Sequence, residues 1–434
     1  MTPSARLSAV VDLLETIFGT TGRAEQVVGG YFRTRRYAGS KDRRWVSEFL
    51  YTLLRRLGEV DWAIEKVELT QSNRTRAIVA SILLDGQAVD DVITNNFQGA
   101  HALEIPSDEE VVALNNLTGL DLSEMPDFVQ GNFPDWLSDL IKNQYGSRAN
   151  AIMAAYSTRA PLTFRVNRLK SDRDSVLKQM KDEGIEVRAT ELSPVGIVVE
   201  NRQNLSTHNL VTEGILEIQD EAAQVSALLA EAGPGLQIMD YCAGGGGKTL
   251  TMGADMSNEG LIYALDIDKR RMRDIASRCK RANLLVVQSH VLATDEGPNP
   301  ILEQLLDKMD IVFTDVPCSG SGAWRRQPEQ RWHLSAERLE ELQKMQADIL
   351  DVAVDYVAPG GKLVYATCSI LEAENKDQIT AFLKNHTDFK IRKVSDAWSD
   401  AGLDGTADGE FLELTPDLYG TDGFFTAILV RDED

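Results

Sequence analysis

An α/β fold is predicted, with its sheet in the second half of the chain, on three observations. From about Gly214 onward, apolar runs of strand length alternate with segments of helical period. Strands are expected at 236–241, 261–266, 284–289, 310–315, 362–368 and 424–430, and helices at 220–231, 248–255, 269–282, 336–357 and 373–386. Such alternation builds a mostly parallel sheet with helices on both faces. A run of four glycines, Gly244, Gly245, Gly246 and Gly247, follows the first strand. Asp266, Asp315, Cys318 and Cys368 fall at or just past strand ends, where open α/β sheets bind ligands.

The elements before this core differ in texture. Residues 1–100 predict an all-helical domain. Leu7, Val10, Val11, Leu14, Ile17 and Phe18 recur at spacings of three and four, as do Trp45, Phe49, Leu50, Leu53, Leu54 and Leu57. Ser40 is placed to cap the helix it precedes. Residues 101–128 are acidic and weakly periodic and read as a linker, so 1–128 form a helical domain with its linker. Pro134 suits the first turn of a further helix. A strand at 162–167, a helix at 171–183 stopping at Gly184, and strands at 185–188 and 196–200 make a small β-α-β-β, α+β subdomain within 129–213. The core occupies 214–434.

Composition narrows the class. The 434 residues carry a net charge of −22, with 43% apolar content. That is enough for a core, and no stretch approaches the ~20 apolar residues of a membrane span. The N-terminus lacks a basic start followed by a long apolar run, so no signal peptide is expected. The four cysteines, Cys242, Cys279, Cys318 and Cys368, include no C-x-x-C pair. No zinc or other metal site is expected, and a cysteine-poor chain points to a reducing cytoplasm. A monomer is expected. So acidic a chain does not bind nucleic acid indiscriminately. Yet residues 33–56 hold eight Lys/Arg against Asp42 and Glu48, and residues 269–281 hold seven against Asp274. Each run alone reads as a solvated face; two of them in an acidic chain suggest a local anionic partner.

The glycine run lets the backbone turn sharply and approach a ligand, and the helix after it offers free N–H groups. Gly-Gly-Lys-Thr resembles the end of a phosphate loop, but that motif needs glycine where Cys242 stands. A purely structural turn is the plainer alternative. Asp266 ends the second strand, where a carboxylate accepts both hydroxyls of a ribose; it could instead cap the helix beginning near Lys269. The full G-x-G-x-x-G pattern is missing, since 245, 247 and 250 are Gly, Gly and Leu. That disfavours a dinucleotide and favours S-adenosyl-L-methionine. Cysteine is the strongest common nucleophile once its thiolate is available. Carbon 5 of a pyrimidine does not take up a methyl group unaided. A thiolate adding to carbon 6 makes an enamine whose carbon 5 does. Asp315 is placed to hydrogen-bond the cytosine edge as charge develops. One cysteine to attack and a second to assist release would use both thiols at the matched strand ends. Cys279 reads as a small buried hydrophobe.

The motifs Y-C-A-G-G-G-G-K-T, T-D-V-P-C-S-G-S-G, Y-A-T-C-S with Glu374-Asn375, and G-T-D-G-F-F resemble the Sun-type, RsmB-like RNA cytosine-5 methyltransferases over nearly the whole chain. The resemblance implies a Rossmann-like S-adenosylmethionine-dependent methyltransferase core behind a NusB-like helical RNA-binding domain. It implies Cys368 as nucleophile and Cys318 as the residue needed for product release. Asp315 would contact the target cytosine and lie near the cofactor. Cys242, Ala243, Gly244, Gly245, Gly246, Gly247 and Lys248 would wrap the methionine end of the cofactor, with Lys248 close to the reacting centre. Asp266 would bind the ribose, with Arg271 near it, and Asp295 would lie beside the adenine, a place for which His290 competes. The family loop usually reads Cys-Ala-Ala-Pro-Gly-Gly-Lys; Gly244 and Gly245 replace Ala and Pro, which loosens the unfolded chain. The implied substrate is RNA, most of all small-subunit ribosomal RNA, with its target base unstacked. Trp324, Arg325, Arg326, Arg331 and Trp332 are candidates to stack bases and hold phosphates, or else an exposed loop with a packing tryptophan. A non-catalytic RNA-binding assembly factor is the rival reading.

Overall fold

The computed structural model describes residues 1–20, 22–99, 101–201, 203–292 and 300–433. The chain forms two compact units, one of Met1–Arg159 with Ala323–Ala336, the other of Ala160–Gly322 with Glu337–Asp434. The division expected after residue 128 therefore falls inside the first unit. Among the described residues no helix is long and apolar enough to cross a membrane.

The first unit is helical. Helices Pro3–Phe18, Ala24–Thr34, Ser40–Arg55, Leu57–Lys66, Asn73–Leu83 and Val89–Asn96 follow one another. The periodic positions explain their packing: Leu7, Val10, Leu14, Ile17, Leu50, Leu53 and Leu54 are all buried in one cluster. Ser40 is the first helical residue, with Gly39 in the cap position.

Residues 101–128 are not a linker. They carry the helix Asp108–Asn116, opened by a capping box in which Ser107 and Glu110 bond each other's backbone N–H. Leu114, Leu117 and Met125 are buried in the same core. The acids that gave the segment its linker-like look, Asp108, Glu109 and Glu110, fill the first turn, where the helix dipole favours negative charge.

The segment Ala323–Ala336 also belongs to the helical unit, which corrects the expectation of a base-stacking loop. Trp324, Arg325 and Arg331 are buried. The Arg331 guanidinium donates to the carbonyls of Asn132 and Tyr156 and lies 5.1 Å from the Trp324 ring. Trp332 donates its indole N–H to Leu54 O at 2.8 Å, and Arg326 is half-buried. Aromatic and arginine side chains suit a helix joint as well as a nucleic-acid surface, and here carbonyls and rings occupy them. Burial pushes the Arg331 pKa down to about 9.

The second unit holds two sheets. The smaller has β1 (Leu162–Val166), β2 (Val187–Ala189), β3 (Gly196–Val199) and β4 (Leu216–Ile218) in the antiparallel order β2-β3-β1-β4. Helix Arg173–Asp182 covers it through Val176 and Met180. The larger contains β5 (Gln237–Asp240), β6 (Leu261–Asp266), β7 (Val287–Val291), β8 (Met309–Asp315), β9 (Val357–Thr367), β10 (Phe389–Arg392), β11 (Leu412–Leu414) and β12 (Phe424–Arg431). Its order is β10-β12-β9-β8-β5-β6-β7, with β11 on β12. The strands β5 to β9 run parallel; β12 and its neighbours are antiparallel. β5 lies between β6 and β8, so the chain winds away from it in both directions. That is the switch point at which such sheets hold ligands. The expected helix 269–282 is two, Lys269–Met272 and Ile275–Ala282.

Candidate active site

The carboxyl ends of β5, β6, β8 and β9 deliver Asp240, Asp266, Asp315 and Thr367 to one edge of the sheet. The residues after them form the site.

After β5 the chain enters the glycine loop and then helix Gly247–Asp255. Gly244 has φ +54° and Gly246 φ +78°, a region L-residues rarely occupy. At Gly246 space demands glycine too, since a Cβ would lie 2.4 Å from Ile275 Cγ1; at Gly244 a Cβ would lie 2.5 Å from Arg271 Nη2, the mobile end of a half-exposed side chain. A Cβ at Gly245 would lie 3.0 Å from Arg278 Nη1. Arg278 donates to Gly245 O and is anchored by Glu217, which also takes Arg281. Arginines from the following helices thus occupy the space beside Gly244 and Gly245.

Asp266 is buried and accepts the Gly244 N–H through Oδ2 and the Asp268 N–H through Oδ1, each at 2.8 Å. Arg271 Nη1 stands 3.6 Å away. The helix Lys269–Met272 is capped by Asp268, not Asp266. Asp266 therefore braces the loop with lone pairs to spare. His290 pairs with Leu265 in the sheet, and its Nε2 is buried with no hydrogen-bond partner among the described residues. Asp295 lies outside the described residues.

Sequence reasoning missed Asp240. It is fully buried; Oδ2 accepts from Thr249 Oγ1 at 2.6 Å, while Oδ1 has no partner among the described residues. Burial pushes its pKa up to about 7, against the pull of Thr249 and Lys248. An acid ending the strand just before a glycine loop was the signal available. Because Thr249 spends its hydroxyl inward, the phosphate-loop alternative loses its cation ligand. These features fit a cofactor with a nucleoside end and a cationic amino-acid end. Glycines make a cradle that a Cβ would fill, the helix start leaves N–H groups without intrahelical partners, and an orphaned carboxylate oxygen lies below. Cys242, at the loop's start, has its thiol pushed up by burial and nearby carboxylates, so it lines the loop rather than attacking.

Lys248 Nζ meets Asp315 Oδ2 at 2.5 Å and lies 5.1 Å from the Phe424 ring. Beyond Asp315 the chain runs through Val316 and Pro317 to Cys318. Cys318 Sγ lies 3.4 Å from Cys368 Sγ. Both thiols are half-buried. The hydrogen bond to Cys368, then burial, holds the Cys318 thiol well above its ordinary range. The expected residues Lys248, Asp315, Cys318 and Cys368 thus come together in two close pairs. Sequence reasoning assigned no role to Phe424, or to the serines and Glu374 behind the thiols.

Parallel strands wound both ways from β5, a glycine cradle at the switch point and an acid ending β6 define a class: a Rossmann-like S-adenosylmethionine-dependent methyltransferase. Comparison with known proteins goes further. The model of the 16S rRNA methyltransferase RsmB/F family matches residues 227–430, and that of the RsmF/B-like ferredoxin-like domain matches 133–206. Ribosomal RNA small subunit methyltransferase B of Xylella fastidiosa is 33% identical over 304 residues, covering 69% of this chain and 67% of that protein. The Photorhabdus laumondii protein of the same name is 33% identical over 300 residues, 69% of this chain and 66% of that one. The Salmonella typhi protein is 28% identical over 405 residues, 90% and 91%. A methyltransferase homologue from Pyrococcus horikoshii shares the fold with TM-score 0.60 at 24% identity, over 72% of this chain and 100% of that one. NSun6 from the same organism, solved with SFG, has TM-score 0.59 at 19% identity, over 70% and 99%. The chain belongs to the RsmB/F family of methyltransferases.

Proposed function

We propose that the protein transfers a methyl group to carbon 5 of a cytosine in RNA, most of all small-subunit ribosomal RNA, through a covalent cysteine–pyrimidine intermediate. What carries this reading is the pair of thiols 3.4 Å apart, beside the Lys248–Asp315 pair. S-adenosylmethionine, when bound, supplies an electrophilic methyl group. Cys242, Ala243, the four glycines and Lys248 would hold its methionine end, and Asp266, with Arg271 nearby, its ribose.

Cys368, as thiolate, adds to carbon 6 of the cytosine, and the electron pair of the 5,6 double bond becomes available at carbon 5. Asp315 hydrogen-bonds the base edge, and the Lys248–Asp315 pair helps protonate N3 as negative charge develops there, the proton returning when the 5,6 double bond re-forms. Lys248 keeps Asp315 oriented. After carbon 5 is methylated, a base takes the carbon 5 proton, the C–H electron pair re-forms the 5,6 double bond, and the C6–S bond breaks to release the Cys368 thiolate. Cys318 assists that release. The 3.4 Å between the two sulfurs supports this division of roles, because it puts Cys318 beside the bond that must break. The relatives named as ribosomal RNA methyltransferases support RNA as the substrate.

The test uses S-adenosylmethionine with a labelled methyl group and undermodified small-subunit ribosomal RNA. Digestion to nucleosides should yield label in 5-methylcytidine. Label in any other nucleoside would overturn the carbon 5 assignment. RNA binding without label would favour the assembly-factor reading.

A further inference from the structure

Each site cysteine is followed directly by a serine, and both serines reach one carboxylate. Ser319 Oγ donates to Glu374 Oε2 at 2.6 Å, and Ser369 Oγ donates to the same oxygen. Glu374 Oε1 accepts the Ser319 backbone N–H at 2.8 Å and Gln346 Nε2 at 2.9 Å. Gln346 Nε2 also donates to Pro317 O at 3.0 Å. Further bonds join the same two turns. Gly322 N–H donates to Cys368 O, and Ile370 N–H to Ser321 Oγ, each at 2.9 Å.

Glu374 is wholly buried, and these donors are neutral. Burying a carboxylate so is costly, and an apolar residue of similar volume would often serve packing as well. What the carboxylate gives is direction: it accepts from the turn after Cys318 and from the turn after Cys368 at once. We propose that Glu374 is a positioning residue for the two thiols. It fixes one cysteine turn against the other and so sets the approach of Sγ to Sγ. This role rests on the thiol chemistry proposed above, but its geometry can be tested without RNA or cofactor.

Diamide takes two electrons and two protons from a thiol pair, is itself reduced to the hydrazine, and joins the two sulfurs. In the full-length protein, peptide mapping should find the Cys318–Cys368 disulfide. Glu374→Gln puts an amide donor where an acceptor stood. It should form that disulfide about tenfold more slowly and lower kcat for methyl transfer about 100-fold. KM for RNA and Kd for S-adenosylhomocysteine should move less than about threefold. Glu374→Asp should recover part of both losses. If Glu374→Gln fails to fold, the Ser319→Ala/Ser369→Ala double variant, which removes only two hydroxyl donors, carries the same expectation. Wild-type rates of disulfide formation and of turnover in these variants would overturn the proposal. Slower disulfide formation in Glu374→Gln, with wild-type protein inactive on RNA, would support the clamp and overturn the methyltransfer reading.

Discussion

Asp240 is a carboxyl whose charge state is set by burial. Its native pKa of about 7 lies above the ordinary 3.8, so the folded form binds the proton more tightly than the unfolded form. The stability this confers is complete below about pH 4, falls as the pH rises, and is lost above about 7. The shift is worth on the order of 4 kcal/mol. Asp240→Asn keeps an acceptor for Thr249 and removes the charge. Thermal unfolding of the ligand-free variant should therefore decline less between about pH 5 and about pH 8 than that of the wild type. An equal decline would contradict the assignment. The residue was not legible as a site residue, because an acid ending a strand looks the same whether it faces water or lies beneath a loop. Cys318, Cys368 and Asp315 were legible because strand ends place them, and Lys248 through the resemblance of its glycine loop to the family's. Their pairing was not, since it depends on how two turns cross.

Among the elements, the segment 101–128 shows where composition misleads. Its acids sit in the first turn of Asp108–Asn116, while Leu114 is buried in the helical core. Leu114→Ala should cost about 2–4 kcal/mol, read as a fall in the unfolding midpoint of the full-length protein. A change under about 0.5 kcal/mol would mark the segment as a linker after all. The strands and helices of the core followed from periodicity, with ends shifted by a few residues. β10 and β11 were missed because they are short, and their half-exposed patterns do not stand out from loops. Trp324 and Arg331 misled for another reason: the side chains that recognise RNA are also those that fill a helix joint.

Over its full length, the acidic chain leaves local cations exposed. Arg33, Arg36, Lys41 and Arg44 are exposed on the helical unit, with Tyr37 among them, and Lys269, Arg270, Arg271 and Arg273 on the other. Arg35, by contrast, lies over the Tyr31 ring, and Arg43 donates to Ala38 O. If the exposed set meets phosphates, replacing Arg33, Arg36, Lys41 and Arg44 by alanine should weaken RNA binding. It should also flatten the dependence of log K on log salt by roughly 0.7 for each phosphate no longer neutralised. An unchanged slope would assign these cations to solvation alone.

Attack by Cys368 and release served by Cys318 make opposite demands on two variants. Cys318→Ala and Cys368→Ala would each be incubated with S-adenosylmethionine and undermodified ribosomal RNA, and the products separated on a denaturing gel. Cys318→Ala should accumulate a covalent protein–RNA adduct, while Cys368→Ala should form none and transfer no methyl. An adduct in Cys368→Ala and none in Cys318→Ala would contradict this assignment and make Cys318 the nucleophile.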